Sequence, residues 1–79
     1  MICCAVATRI KNLCEERRLT INKLATISGV TQSTVDNIVK GNSKNPGIAT
    51  IKKLCDGLGI SIIEFFNCDI FKNLEQEIQ

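Results

Sequence analysis

The sequence predicts an all-α domain of five helices, followed by a short C-terminal tail that is helical or partly frayed. Three observations carry this. Apolar residues recur at three- and four-residue spacing in successive segments. Glycines stand where those segments stop. No segment alternates apolar with polar residues as a half-buried strand does, and no internal repeat occurs.

In the first segment Val6, Ile10, Leu13 and Cys14 follow the i, i+4, i+7, i+8 spacing of an amphipathic helix. This predicts a helix from about Ala5 to Arg17, with Arg17 and Arg18 suiting its negative C-terminal end. The preceding "ICCAVA" is apolar for only six residues and has no basic region ahead of it. It is too short for a signal peptide or a membrane span and reads as the start of that first helix. No membrane partner is expected.

Thr20 caps a second helix whose inner face is Ile21, Leu24 and Ala25, with Ile27 as a further candidate. Gly29 ends it, because glycine takes the left-handed conformation at a helix C-terminus without strain. Two residues later Thr31 caps a third helix ending at Lys40, with Gly41 just beyond. "GNSKNPG" is a polar loop with Pro46 at its far end. A fourth helix runs from about Ile48 to Leu58 and stops at Gly59. Ser61 and Glu64 form a capping box that opens a short fifth helix through "IIEFF". In the tail, Phe71, Leu74 and Ile78 fall at helical spacing, which suits a sixth, acidic helix. Those residues either pack back on the first helix or meet a second copy of the chain. The expected organisation is a folded domain over residues 1–66 and a tail over 67–79.

A chain of 79 residues makes one domain with little surface left for a catalytic cleft. Apolar residues make up 44%, as in globular proteins, which argues against disorder. Aromatic residues are 4%, without Trp or Tyr, so a base-stacking platform for RNA finds little support. The net charge of +2 is unevenly spread. Residues 1–60 hold nine Lys or Arg against four acids, and the last nineteen residues hold one Lys against four. The body therefore suits a polyanion better than the tail does.

Of the five cysteines Cys3 and Cys4 are adjacent and Cys14, Cys55 and Cys68 are widely scattered; no C-x-x-C occurs and there is no His, so a zinc site has no plausible ligand set. An odd count without a secretory signal fits reduced thiols and a cytoplasmic location. Cys14 and Cys55 fall at apolar helix positions, where a buried thiol acts as a small hydrophobe. No metal or cofactor is expected. Without a nucleophile–base pair or a phosphate-cradling glycine loop, neither is catalysis. With no second sizeable domain, no small-molecule effector is implied.

The informative stretch is Val30–Gly41, "VTQSTVDNIVKG". Val35, Ile38 and Val39 form one face, and Gln32, Ser33, Asp36, Asn37 and Lys40 form the other. A solvated face of a small protein is mostly Glu, Lys and Arg. This one is mostly amides and a hydroxyl, groups that recognise other hydrogen-bonding groups. The preceding "SGVT" is a Gly-containing turn of the length that joins two helices at a steep angle. Ala25, Gly29, Val35 and Ile38 match the spacing of a helix-turn-helix unit of about 20 residues.

With these residues in place, "LTINKLATISGVTQSTVDNIVKG…NPGIATIKKLCDGLGISIIEFF" resembles the five-helix DNA-binding domain of the phage repressor and Cro-like (Xre-type) regulators. The resemblance covers roughly Arg9 to Phe66. It rests on the L-A-x-x-x-G-V-T run, the Pro46 entry to the fourth helix and the "LGIS" link to the fifth. It implies a transcriptional regulator, a repressor in its mode of action, that occupies a double-stranded operator as a homodimer with the third helix in the major groove. By position it implies that Gln32, Ser33 and Asn37 face base edges. Gln and Asn amides pair bidentately with adenine, and Ser donates or accepts. It implies backbone contacts for Thr31 at the helix N-terminus, for Thr34, and for Lys40, Asn42, Ser43 and Lys44. Asp36 would repel phosphate and is assigned no contact.

Three positions depart from the pattern. Many relatives start the second helix with a phosphate-binding Gln, where this chain has Ile21. Many pair an Arg in helix one with a Glu at the end of helix three, and here those positions are Cys14 and Val39. Replacing both members together strands no charge. Some relatives place a minor-groove Arg at the position of Gly47. Two rivals from other classes are a protein-interaction module that keeps the fold without binding DNA, and a thiol-based redox switch.

Overall fold

The computed structural model describes residues 2–41 and 46–74. Six helices follow one another: α1 (Ile2–Arg17), α2 (Ile21–Ser28), α3 (Gln32–Val39), α4 (Ile48–Leu58), α5 (Ile62–Phe66) and α6 (Asp69–Lys72). No strand occurs among the described residues. α1 begins at Ile2, three residues ahead of the predicted start. The reason lies in packing, since Ala5, Val6 and Ala7 are all buried and their turn must be ordered to cover the core.

The expected caps are formed. The Thr20 hydroxyl accepts from the Lys23 N–H at 3.0 Å, that of Thr31 from Thr34 at 3.3 Å, and that of Ser61 from Glu64 at 3.0 Å. Each satisfies a donor that the first helical turn leaves unpaired. Three helices end in the same doubled bond pattern. Leu19, Val30 and Ile60 donate to the carbonyls of Cys14, Ala25 and Cys55 at 2.9, 3.1 and 3.0 Å. The residue between is left-handed in each case: Gly29 at φ 69°, Gly59 at φ 73° and Arg18 at φ 55°. A side chain in that conformation costs roughly 1 kcal/mol relative to glycine, so α1 closes under strain that α2 and α4 avoid.

The core is apolar throughout, with no polar or charged residue buried among those described. Ile10, Leu24, Val35, Leu54, Cys55 and Phe65 sit at its centre with essentially no exposure. Each large side chain buried this way stabilises the fold by about 1.5–3 kcal/mol. α1 lies on α3, and Cys14 and Val39 are both buried in the shared core. α2 packs closely on α4 at Ser28 and Gly57, where a methyl on Gly57 would stand 2.1 Å from Ser28 Oγ and 3.2 Å from Ser28 Cα. Ile27 does not join the inner face of α2. It is 42% exposed, because Leu24 and Ala25 already fill the approach to the core.

α6 packs against α1. Phe71 contacts Phe66 and Phe65, with ring centroids 4.7 and 5.9 Å apart, completing an aromatic cluster below α5. Leu74 is half-buried, and Ile78 lies outside the described residues.

Candidate nucleic-acid interface

The corner between α2 and α3 is built from three local features. Ala25 is small and buried, Gly29 turns the chain in the left-handed conformation, and Thr31 restarts the helix in an extended conformation at ψ 147°. Val35, Ile38 and Val39 then anchor the inner face of α3 in the core. With that face fixed, helical periodicity turns Gln32, Ser33 and Asn37 outward, and all three are exposed. Ser33 and Asn37 are one turn apart, so their polar groups share a stripe. Asp36 is half-buried beside them.

The backbone-contact candidates divide. The Thr31 hydroxyl caps α3 and also shares a hydrogen bond of 2.7 Å with the Thr34 hydroxyl. The two threonines therefore form a pre-ordered pair at the positive end of the helix. Lys40 is exposed at the other end, where its N–H bonds the Asp36 carbonyl at 2.9 Å, and its ammonium has no ion-pair partner among the described residues. Asn42, Ser43 and Lys44 lie outside the described residues. Lys52 and Lys53 are exposed on α4, and Lys52 is paired with Asp56.

One residue that ties the domain together was not legible as such. The Arg9 guanidinium donates to the carbonyls of Phe65 at 2.8 Å and Glu64 at 3.0 Å, closing the C-terminal end of α5 from α1. A cation at a helix C-terminus is favourable, and these bonds add to the Asn67 N–H that the Glu64 carbonyl already accepts at 3.3 Å. The signal for it was an Arg on the border of the apolar stripe of α1. Cys14 and Cys55 are buried free thiols, and burial pushes both pKa values up, against smaller opposing effects of Arg17 and Lys52. Buried thiols of that kind are poorly reactive. Among the described residues no group of His, Cys, Asp and Glu could hold a metal ion, and no helix is long and apolar enough to cross a membrane.

Known proteins carry the same arrangement. The helix-turn-helix (HTH_3) family pattern matches residues 10–65. The chain is 46% identical over 52 residues to the HTH-type transcriptional repressor RghR of Bacillus subtilis (strain 168), covering 66% of this chain and 38% of RghR. It is 41% identical over 46 residues to the HTH-type transcriptional regulator RghRB of the same organism, covering 58% of this chain and 33% of that one. The chain thus spans about a third of the length of these relatives. The crystal structure of the prophage Lp1 protein 11 superposes with a TM-score of 0.76 at 40% identity, covering 87% of this chain and 91% of that one. That of an HTH_3 family transcriptional regulator from Vibrio cholerae gives a TM-score of 0.78 at 34% identity, covering 86% and 38%. With the pattern running from Ile10 to Phe65 across all of α2 to α4, this chain belongs to the helix-turn-helix family.

Proposed function

We propose that the chain is a sequence-specific, double-stranded-DNA-binding transcriptional regulator that represses by occupying its operator, without catalysis. The observation that carries this is the exposed, amide- and hydroxyl-rich face of α3, held outward by a buried apolar face in a helix-turn-helix corner. Gln32, Ser33 and Asn37 read base edges. Thr31, Thr34 and Lys40, with Asn42, Ser43 and Lys44 of the following loop, hold the sugar–phosphate backbone.

Two copies bind a two-fold operator, with recognition helices about 34 Å apart. For that second copy, the most exposed large apolar side chain described is Ile63 on α5, at 80%. The functional unit is residues 1–66, with residues 67–79 as an accessory tail, and its place of action is the cytoplasm. No small-molecule effector is needed for this mode of action.

Selection of sites from a random duplex pool, followed by a salt titration on the selected site, tests the reading. Enrichment of a two-fold motif, with affinity falling steeply as salt rises, is the expected result. Failure to enrich any motif, with only weak, salt-insensitive binding, would favour a protein-interaction module.

A further inference from the structure

Ser28 is the last residue of α2 and directly precedes the left-handed Gly29 that turns the chain toward α3. Its hydroxyl oxygen is the one buried side-chain polar atom among the described residues without a hydrogen-bond partner. Taking a hydroxyl out of water without giving it a partner is unfavourable. Gly57, opposite it on α4, is a second local weakness, since glycine lowers helix propensity. Gly57 is not left-handed, so no backbone conformation requires glycine there. What requires it is space. A methyl at position 57 would overlap Ser28 Oγ and stand 3.1 and 3.2 Å from Ser28 Cβ and Cα. The two locally unfavourable choices therefore meet at one point, with the Ser28 hydroxyl in the room that Gly57 leaves open.

Sequences break local rules chiefly where function asks for it. Here the break sits beside the corner that carries the reading helix. Thr31, three residues after Ser28, caps α3, and Gln32 is the first residue of that helix. α3 packs on α1 and α2, and α2 packs on α4, so the spacing between α2 and α4 reaches α3 through Gly29 and Val30. We propose that Ser28 and Gly57 are positioning residues for base recognition, an inference that rests on the DNA-binding reading above. Their contact sets how far the corner stands from α4, and hence where Gln32, Ser33 and Asn37 meet the major groove. The Ser28 hydroxyl is the spacer, and Gly57 is the seat against which it stops. Bidentate bonds to base edges tolerate little displacement, whereas long side chains on phosphates adapt to it.

The test uses the whole chain, the duplex selected by the wild type and a random-sequence duplex, at a temperature where each variant is folded. Gly57→Ala should weaken the selected duplex by roughly 10-fold, the scale of one lost bidentate base contact. Random-duplex affinity and the salt slope should hardly change, because the number of phosphates contacted is the same. Ser28→Ala removes an unpartnered hydroxyl, so it should unfold no more easily than the wild type and yet lose selectivity. The double variant Ser28→Ala, Gly57→Ala removes the overlapping oxygen and should recover part of what Gly57→Ala loses, so the two losses do not add. Phe71→Leu, which loosens the aromatic cluster beside α5, is the control for destabilisation and keeps the ratio of the two affinities. In the DNA-free chain, Gly57→Ala should shift the backbone amide resonances of Gln32, Ser33 and Asn37.

Unchanged selectivity in either folded single variant would overturn the spacer, as would additive losses in the double variant or an equal loss of ratio in Phe71→Leu. Where Gly57→Ala does not fold, Ser28→Ala decides alone. Unmoved α3 amide resonances in Gly57→Ala would overturn the spacer without any DNA present. Absence of salt-dependent binding by the wild-type chain would overturn the underlying DNA-binding reading, a different result from any of these.

Discussion

Asn37 on α3 and Lys40 at its C-terminal cap stand within one turn of each other, yet their chemistry predicts different kinds of loss. An amide that pairs bidentately with a base discriminates among sequences, whereas an ammonium on a phosphate binds all of them alike. Asn37→Ala should therefore relax preference at one operator position by about 1–3 kcal/mol. Lys40→Ala should weaken every duplex and reduce the salt slope by about 1. A binding-site profile of each variant decides this, and unchanged discrimination in Asn37→Ala would remove that residue from the readout. Thr31 carries a double task. Its hydroxyl already caps α3 and bonds the Thr34 hydroxyl at 2.7 Å. Thr31→Ala should cost about 1 kcal/mol of stability by denaturant unfolding, and Thr31→Ser should restore it. A full-stability Thr31→Ala variant would show that the cap contributes nothing.

At the scale of elements, the seat of the reading helix depends on contacts that no local pattern announces. Gly57 lets α4 approach α2 closely at Ser28. Gly57→Ala would gain up to about 1 kcal/mol in helix propensity. However, the new methyl meets both Ser28 Oγ and the Ser28 backbone, and overpacking of that kind costs about 1–3 kcal/mol. The expected outcome is a net loss in thermal unfolding, and a more stable variant would show that the helices separate freely. The same distinction explains what the sequence made legible. Thr20, Thr31, Ser61, Gly29 and Gly59 act on their own neighbours, so the starts of α2, α3 and α5 and the stops of α2 and α4 could be read directly. The outward face of α3 followed from the inward set of Val35, Ile38 and Val39. The early start of α1, the exposure of Ile27 and the bond from Arg9 to Phe65, 56 residues away, follow from tertiary packing. Periodicity in one segment holds no information about them.

Across the whole molecule, the core carries no buried polar or charged residue among those described, but it includes two titratable thiols. Cys14 and Cys55 are 5% and 0% exposed, and burial raises the pKa of both. In the unfolded chain the same thiols ionise near pH 8.5. Above that pH the folded chain holds protons that the unfolded chain releases, so stability falls as pH rises. The contribution is complete below about pH 8.5 and is lost as pH climbs toward the raised values of the folded state. The slope is at most about 1.4 kcal/mol per pH unit for each thiol. The chain has no tyrosine to add a phenol ionisation on the alkaline side. Denaturant unfolding followed from neutral pH upward should show this decline in the wild-type chain. The double variant Cys14→Ala, Cys55→Ala starts from a lower stability because of the small cavities it leaves, but its pH profile should be flatter over the same window. Parallel profiles would mean that both thiols ionise as readily in the folded chain as in the unfolded one, and would contradict their place in the core.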